Sequence, residues 1–335
     1  MKPRLRPIHE QVVVVLGASS GIGRGAALRF AERGAAVVVS ARGSAALESL
    51  VADITAHGGT AEAVVCDVSK AEQVQAVADA AVATYGRIDS WVNLAGVALF
   101  APFEHTTAEE FKRVVEVNLL GQVHGAMAAL PHLRRDGGSL ICVSSMGAKR
   151  GIPLQTAYCA SKHGIDGFVE SLRTELQHDR TPVNLTQIMP ATINTPLFDN
   201  ARTKLGVKPT APPPVYQPDL VVDAIVHAAE HPARDLIVGG AARALIFAES
   251  LAPRLLDNVL STVGYRLHYT KEVKPEGAPD NLDEPLPGNN TVEGTIGDHA
   301  LPQSLYTRWA LATPLRSTLT TARNTVAATI RSARP

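Results

Sequence analysis

No surplus of either charge marks this chain: 32 Lys and Arg are matched by 32 Asp and Glu across 335 residues. The balance gives no global reason to expect a nucleic acid or other polyanion as partner, and points to small molecules or protein contacts. Cysteine is scarce. Cys66, Cys142 and Cys159 are the only three and show no Cys-x-x-Cys spacing, so they read as reduced, buried thiols rather than a zinc or redox motif. The 11 histidines form no metal-like constellation, and no metal site is expected. Nothing nears the roughly 18 uninterrupted apolar residues of a membrane span. The basic amino terminus reaches only a few apolar residues before Gly17, too short a run for a signal-peptide core. A soluble, cytoplasmic protein is the expectation.

What the chain does have is apolar content, 45% of residues, enough to bury a sizeable core. From Gln11, the runs VVVVL, AVVVS, AVVCDV, SWVNLAG, SLICVSS, VNLTQI and DLIVGG alternate with longer segments of helical period. Near-continuous apolar strands separated by helices predict an α/β fold, a parallel sheet crossed by helices. Ser69 with Glu72 and Thr107 with Glu110 have the spacing of helix-capping boxes. Between Phe198 and Pro218 the prolines predict a long loop or lid. Ala242 to Tyr269 returns to helical spacing, with Ile246, Phe247, Leu251, Leu255, Leu256, Val259 and Val263 expected to be buried.

Two parts are expected: a main domain over residues 1–270, and an extension over 271–335. The extension begins with a Pro- and Gly-rich linker or strap to Asp298. No acid follows Asp298, while Arg308, Arg316, Arg323, Arg331 and Arg334 do. On a helix starting at Thr313 and Pro314, residues Leu315, Leu319, Ala322, Val326 and Ile330 form an apolar stripe beside arginines. The stripe suits either docking on protein or peripheral contact with an anionic membrane surface.

Gly17, Ser19, Ser20, Gly21, Ile22 and Gly23, in LGASSGIGRG, sit after the first strand and at the opening of a helix. There, free N–H groups and the positive end of a helix dipole receive a pyrophosphate, and glycine permits close approach. This Gly-x-x-x-Gly-x-Gly spacing resembles the short-chain dehydrogenase/reductase family. The resemblance covers roughly Glu10 to Gly240 and implies a doubly wound Rossmann-type parallel sheet with helices on both faces and a nicotinamide dinucleotide cofactor. Leu16 stands where the family usually carries Thr, and Leu94 where it often has a second Asn. No acid is available at Ser40, Ala41 or Arg42 to accept from a ribose 2′-hydroxyl, and Arg42 suits a 2′-phosphate, so NADP(H) is expected. By resemblance, Asp67 and Val68 border the adenine, and Asn93, Ala95 and Gly96 shape the cleft floor. Pro190, Ile193 and Thr195, in MPATINTP, contact the nicotinamide end, with Ala191 in a position usually held by Gly.

The stretch AYCASK places Tyr158 and Lys162 four residues apart, on one helix face. With Asn118, expected within a long helix, and Ser145 they resemble the family's catalytic tetrad. The implied chemistry is hydride transfer between nicotinamide and a carbonyl or alcohol. Tyr158 is the general acid/base and Lys162 lowers its pKa and holds the ribose; Ser145 binds the substrate oxygen and Asn118 supports a proton-carrying water. Cys159 falls on another face and is read as packing. Ser145, Met146, Leu154, Gln155 and the segment from Thr192 past Phe198 are expected to line an apolar substrate pocket. A homodimer or homotetramer through the helices around Asn118 and Tyr158 is implied. The competing reading is a catalytically silent dinucleotide sensor or scaffold on the same fold; an epimerase or dehydratase is a smaller alternative.

Overall fold

The computed structural model describes residues 5–288, 290–297 and 300–312. The helix anticipated from Thr313 onward lies outside the described residues.

The chain opens with strand β1 (Val12–Leu16), helix α1 (Gly21–Glu32), β2 (Ala36–Ala41), α2 (Ser44–Ala56), β3 (Thr60–Val65), α3 (Ala71–Tyr85) and β4 (Ser90–Asn93). A short β5 (Leu99–Phe100), α4 (Ala108–Val115), α5 (Gly121–Asp136), β6 (Gly138–Val143), the long α6 (Thr156–His178) and β7 (Val183–Pro190) follow. Then come α7 (Leu197–Asn200), β8 (Arg202–Thr203), β9 (Val207–Pro209), α8 (Asp219–Glu230) and β10 (Asp235–Val238). The last described elements are α9 (Gly240–Leu251), α10 (Pro253–Val259), β11 (Tyr269–Val273) and α11 (Leu305–Ala312).

All seven apolar runs became strands of one parallel sheet, ordered β10-β7-β6-β4-β1-β2-β3. β1 is buried along its whole length because both faces are covered. On one face Phe30, Leu47, Leu50, Val221 and Ile225 pack from α1, α2 and α8. On the other, Val77, Leu133, Ile165 and Val169 pack from α3, α5 and α6 around Trp91. Each such fully buried side chain contributes about 1.5–3 kcal/mol. The order reverses at β1: the chain runs outward to β3 and returns to β4 on β1's other side. A crevice opens there at the strands' carboxyl ends, and the glycine loop lies at that edge.

Several local expectations change. The Thr107–Glu110 capping box is present, but α3 starts without one: Lys70 is its N-cap, and the Ser69 hydroxyl instead accepts from Arg113 at 2.9 Å. Asn118 is not inside a regular helix. It sits in a π-helical turn, Glu116–Leu120, joining α4 to α5. A π turn carries an extra residue and so re-aims a side chain relative to the helix before it. The Phe198–Pro218 stretch holds α7, β8 and β9 rather than loop alone.

Helices do form over 240–264, ending in a second π-helical turn, Leu260–Gly264, but their apolar residues are not a core. Phe247, Leu251, Leu255, Val259 and Val263 are exposed, and Ile246 and Leu256 are half-buried. The Pro/Gly-rich segment runs back over the body as a strap. β11 pairs antiparallel with β9, Leu282 is fully buried in the core cluster that contains Trp91, and Leu301 donates to and accepts from the Val215–Gln217 segment.

Candidate active site

A cavity of about 400 Å³ runs across the sheet's carboxyl edge. Its phosphate end is built by backbone. Gly17 has φ +92°, and a Cβ there would lie 2.6 Å from the Ala95 backbone; one on Gly23 would lie 2.1 Å from the Gly17 carbonyl oxygen. Only glycine lets the loop, the β4 end and the α1 opening approach this closely. Gly17, Ser19, Ser20, Gly21, Ile22, Ala95 and Gly96 line the cavity. Gly23 and Asn93 do not. Gly23 sets the loop's closeness to α1, while Asn93 accepts from Trp91 Nε1 at 2.8 Å and donates to the Gln122 carbonyl.

Further along, Arg42, Asp67 and Val68 line the cavity as expected. Burial alone would raise the Asp67 carboxyl, but the Ser69 N–H and the Arg113 guanidinium outweigh it and hold it below the usual carboxylate range. Arg42 has unforeseen company. Its Nη1 donates to the carbonyls of Asp283, at 2.6 Å, and Leu282, and its Nη2 to that of Asn281. Arg113 reaches the Leu282 carbonyl from the other side at 3.1 Å. Of five guanidinium protons, three are therefore engaged, and among the described residues the Nε–H and one Nη2 proton have no partner. Burial, followed by the Arg113 cation, holds Arg42 below its ordinary value.

The strap continues along the same rim. Asn281, Pro285 and Leu286 line the cavity, and the Thr291 carbonyl accepts from the Gly21 N–H at 2.8 Å. Arg202 anchors it through Asp280 and Asp283, each at 2.8 Å.

At the other end, Ser145, Tyr158 and Lys162 converge. Ser145 follows β6, and its hydroxyl accepts from the Gly147 N–H at 3.0 Å. Tyr158 and Lys162 lie in the first two turns of α6, with the Lys162 ammonium 5.5 Å from the Tyr158 ring centre. Lys162 also donates to the Val143 carbonyl at 3.2 Å. Burial pushes the Tyr158 hydroxyl up to about 12, against the opposing pull of a hydrogen bond with Ser145, although the side chain keeps some exposure to the cleft. Burial likewise pushes Lys162 down to about 8. Desolvation thus dominates both groups, and its direction at Tyr158 is opposite to the lowering expected from a neighbouring cation.

Asn118 stands behind this group. Its side chain accepts from the Val97 N–H at 2.8 Å and donates to the Val97 carbonyl and to Ser161 Oγ, which in turn donates to the Tyr158 carbonyl at 2.7 Å. The loop after β4 is thus tied to the turn of α6 bearing Tyr158. Both amide protons of Asn118 are engaged in this brace. Cys159 packs as expected: its Sγ accepts from the Ile152 N–H, and burial pushes the thiol up to about 11.

Pro190, Ile193 and Thr195 line the cavity. Ala191 is not in the left-handed region, so alanine in the glycine position costs no strain there. Asn194 and Thr192 are pinned to Tyr216 by backbone hydrogen bonds of 2.9 Å. The substrate end gathers Met146, Gln155, Phe100, Phe198, Pro212 to Pro214, Leu245, Leu260 and His268. Leu154 is absent from it; with φ +64° it turns into the protein, its carbonyl accepting from the Ala101 N–H. Sequence reasoning missed Arg113, Ser161, Leu245, Leu260, His268 and the strap's contact with Arg42 and the cavity rim, none of which carries a local motif.

The chain matches the family model described as short chain dehydrogenase over residues 11–206. It is 38% identical to an uncharacterized oxidoreductase, YxnA, of Bacillus subtilis, over 81% of this chain and 77% of that protein. An uncharacterized oxidoreductase of Listeria monocytogenes is 30% identical over 67% of this chain and 92% of its own length. Among solved structures, an alcohol dehydrogenase from the archaeon Thermococcus sibiricus, complexed with 5-hydroxy-NADP, is similar at a TM-score of 0.60 and 27% identity. That match covers 68% of this chain and 95% of the archaeal one.

Proposed function

The chain belongs to the short-chain dehydrogenase/reductase family of oxidoreductases, and on that premise we propose that it interconverts a carbonyl and an alcohol with NADP(H), Tyr158 serving as general acid/base. The observation that carries this reading is the convergence of Ser145, Tyr158 and Lys162 on the same cavity as the glycine loop. The residues present fit a dinucleotide: the glycine cradle closes if a Cβ is added, and Arg42 keeps two donors facing no acid on β2. The archaeal enzyme's complex with 5-hydroxy-NADP supports NADP(H) over NAD(H).

When bound, the nicotinamide supplies or accepts the hydride at the carbonyl carbon. In reduction, the Tyr158 hydroxyl donates its proton to the developing alkoxide while Ser145 donates a hydrogen bond to the same oxygen. In oxidation Tyr158 acts as phenolate. A phenol raised by burial ionises only when a cation is close, and Lys162 is placed to supply that charge while holding the ribose. Asn118 positions the turn that carries Tyr158. The largely apolar substrate end fits a hydrophobic carbonyl compound. Met127 on α5 and Leu120 in the adjoining π turn are exposed, which supports a homodimer or homotetramer formed through α4, α5 and α6. The proposed location is cytoplasmic; among the described residues, no helix is long and apolar enough to cross a membrane.

A panel of ketones and aldehydes with NADPH tests the function. Stoichiometric NADPH oxidation with alcohol formation is expected. Tight NADPH binding with no turnover across the panel would instead favour a dinucleotide sensor.

A further inference from the structure

The helical arm after β10 exposes Phe247, Leu251, Leu255, Val259, Val263 and Leu267, one large apolar residue at every fourth position. Leu251 and Leu255 are 67% and 65% exposed. A soluble body rarely leaves a contiguous row of this kind uncovered. α11, which packs against α9, adds exposed Leu305 and Trp309.

The unpaired charges beside the row are of one sign, Glu272 next to Lys271 being held by Lys208. Arg243, Arg254, Arg266 and Lys271 are exposed, and no ion pair involving them occurs among the described residues. The arm's two acids are already neutralised: Arg150 holds Glu249 at 2.9 Å and Asp257 at 2.6 Å. The chain leaves α11 into residues 313–335, which contain four arginines and no acid. Leu245 and Leu260 of the same arm line the cavity, so one element separates the cleft from the apolar row.

We propose that the arm formed by α9, α10 and the turn Leu260–Gly264 docks this protein on an anionic lipid surface, the apolar row entering the headgroup boundary and the arginines meeting lipid phosphates. An apolar helix face bordered by cations binds such a surface by area and charge together. A second copy is the poorer occupant. A two-fold contact would set the same row against itself and bring unpaired arginines together.

Full-length protein is sedimented with vesicles of phosphatidylcholine alone and of phosphatidylcholine mixed with phosphatidylglycerol. Binding to the mixed vesicles, weakened by salt, is expected. In the full-length double variant Leu251→Glu, Leu255→Glu the bound fraction falls at least about tenfold, while its thermal midpoint and NADPH affinity stay unchanged. Arg254→Gln with Arg266→Gln lowers binding to the mixed vesicles more than to phosphatidylcholine. Three results overturn the proposal: wild-type protein remaining in the supernatant; equal sedimentation of the Glu variant, which would assign binding to residues 313–335; or a dimer that the Glu variant converts to monomer without any change in sedimentation.

Discussion

Replacing Leu282 by Ala probes whether the strap controls the dinucleotide end of the cleft. Leu282 is fully buried, yet it belongs to a segment fixed mainly by side chains from elsewhere: Arg42, Arg113 and Arg202. Truncating a buried leucine costs about 2–5 kcal/mol. In a central strand that cost would fall on global stability. Here it falls first on the strap, because Leu282 is the one residue that segment contributes to the core cluster among the described residues, and the strands and helices around it keep their other contacts. Even about 2 kcal/mol multiplies the open population roughly 30-fold. Asn281, Pro285 and Leu286 line the cavity, and Thr291 holds the Gly21 N–H, so a bound dinucleotide leaves past this segment. Stopped-flow displacement should show NADPH dissociating at least about tenfold faster, while the thermal midpoint of the body moves little. Cleavage at Glu293 by a glutamate-specific protease should accelerate in parallel. Faster cleavage with an unchanged dissociation rate would refute the idea that the strap gates the cofactor.

Three further outcomes follow from the site. Arg42→Asp should shift the NADPH/NADH preference toward NADH by at least about tenfold, since one charge-assisted phosphate contact is worth roughly 1.5–3 kcal/mol, and an unchanged ratio of kcat/KM values would remove Arg42 from cofactor selection. Gly23→Ala should weaken NADPH binding at least about tenfold by fluorescence titration, because the added Cβ meets the Gly17 carbonyl oxygen and the loop must open. Alcohol oxidation needs the Tyr158 phenolate, so its kcat/KM should rise about tenfold per pH unit below the operative pKa. The rise should flatten as Lys162, lowered to about 8, loses the proton whose charge favours that phenolate; a pH-independent rate would contradict the assignment.

Strands β1, β4, β6 and β7 were legible because parallel strands covered on both faces are almost uninterrupted apolar runs, whereas the half-exposed edge strand β3 overlaps its run only over residues 63–65. The glycine loop and the positions of Ser145, Tyr158 and Lys162 were legible through motif and order. What sequence patterns lacked was anything that names a partner. The strap engages Arg42 with backbone carbonyls, which every residue carries, across some 240 positions of chain. The π turn at Asn118 inserts one residue without disturbing the apolar spacing on either side. Along the arm, helical periodicity led to expect burial that the structure does not show, because periodicity is the same whether protein, lipid or water meets the apolar residues. At Tyr158, residue spacing supplies the cation's position but not the desolvation that burial adds against it.

The central claim is that Tyr158 delivers the proton in a reaction whose cofactor and substrate share one cleft. Tyr158→Phe removes one oxygen from a ring packed in that cleft and leaves the glycine loop untouched. Measured beside wild type with NADPH and the best carbonyl of the panel, it should bind NADPH with near-normal affinity while kcat falls at least about a hundredfold. Retention of substantial turnover by that variant, with NADPH binding intact, would contradict the account.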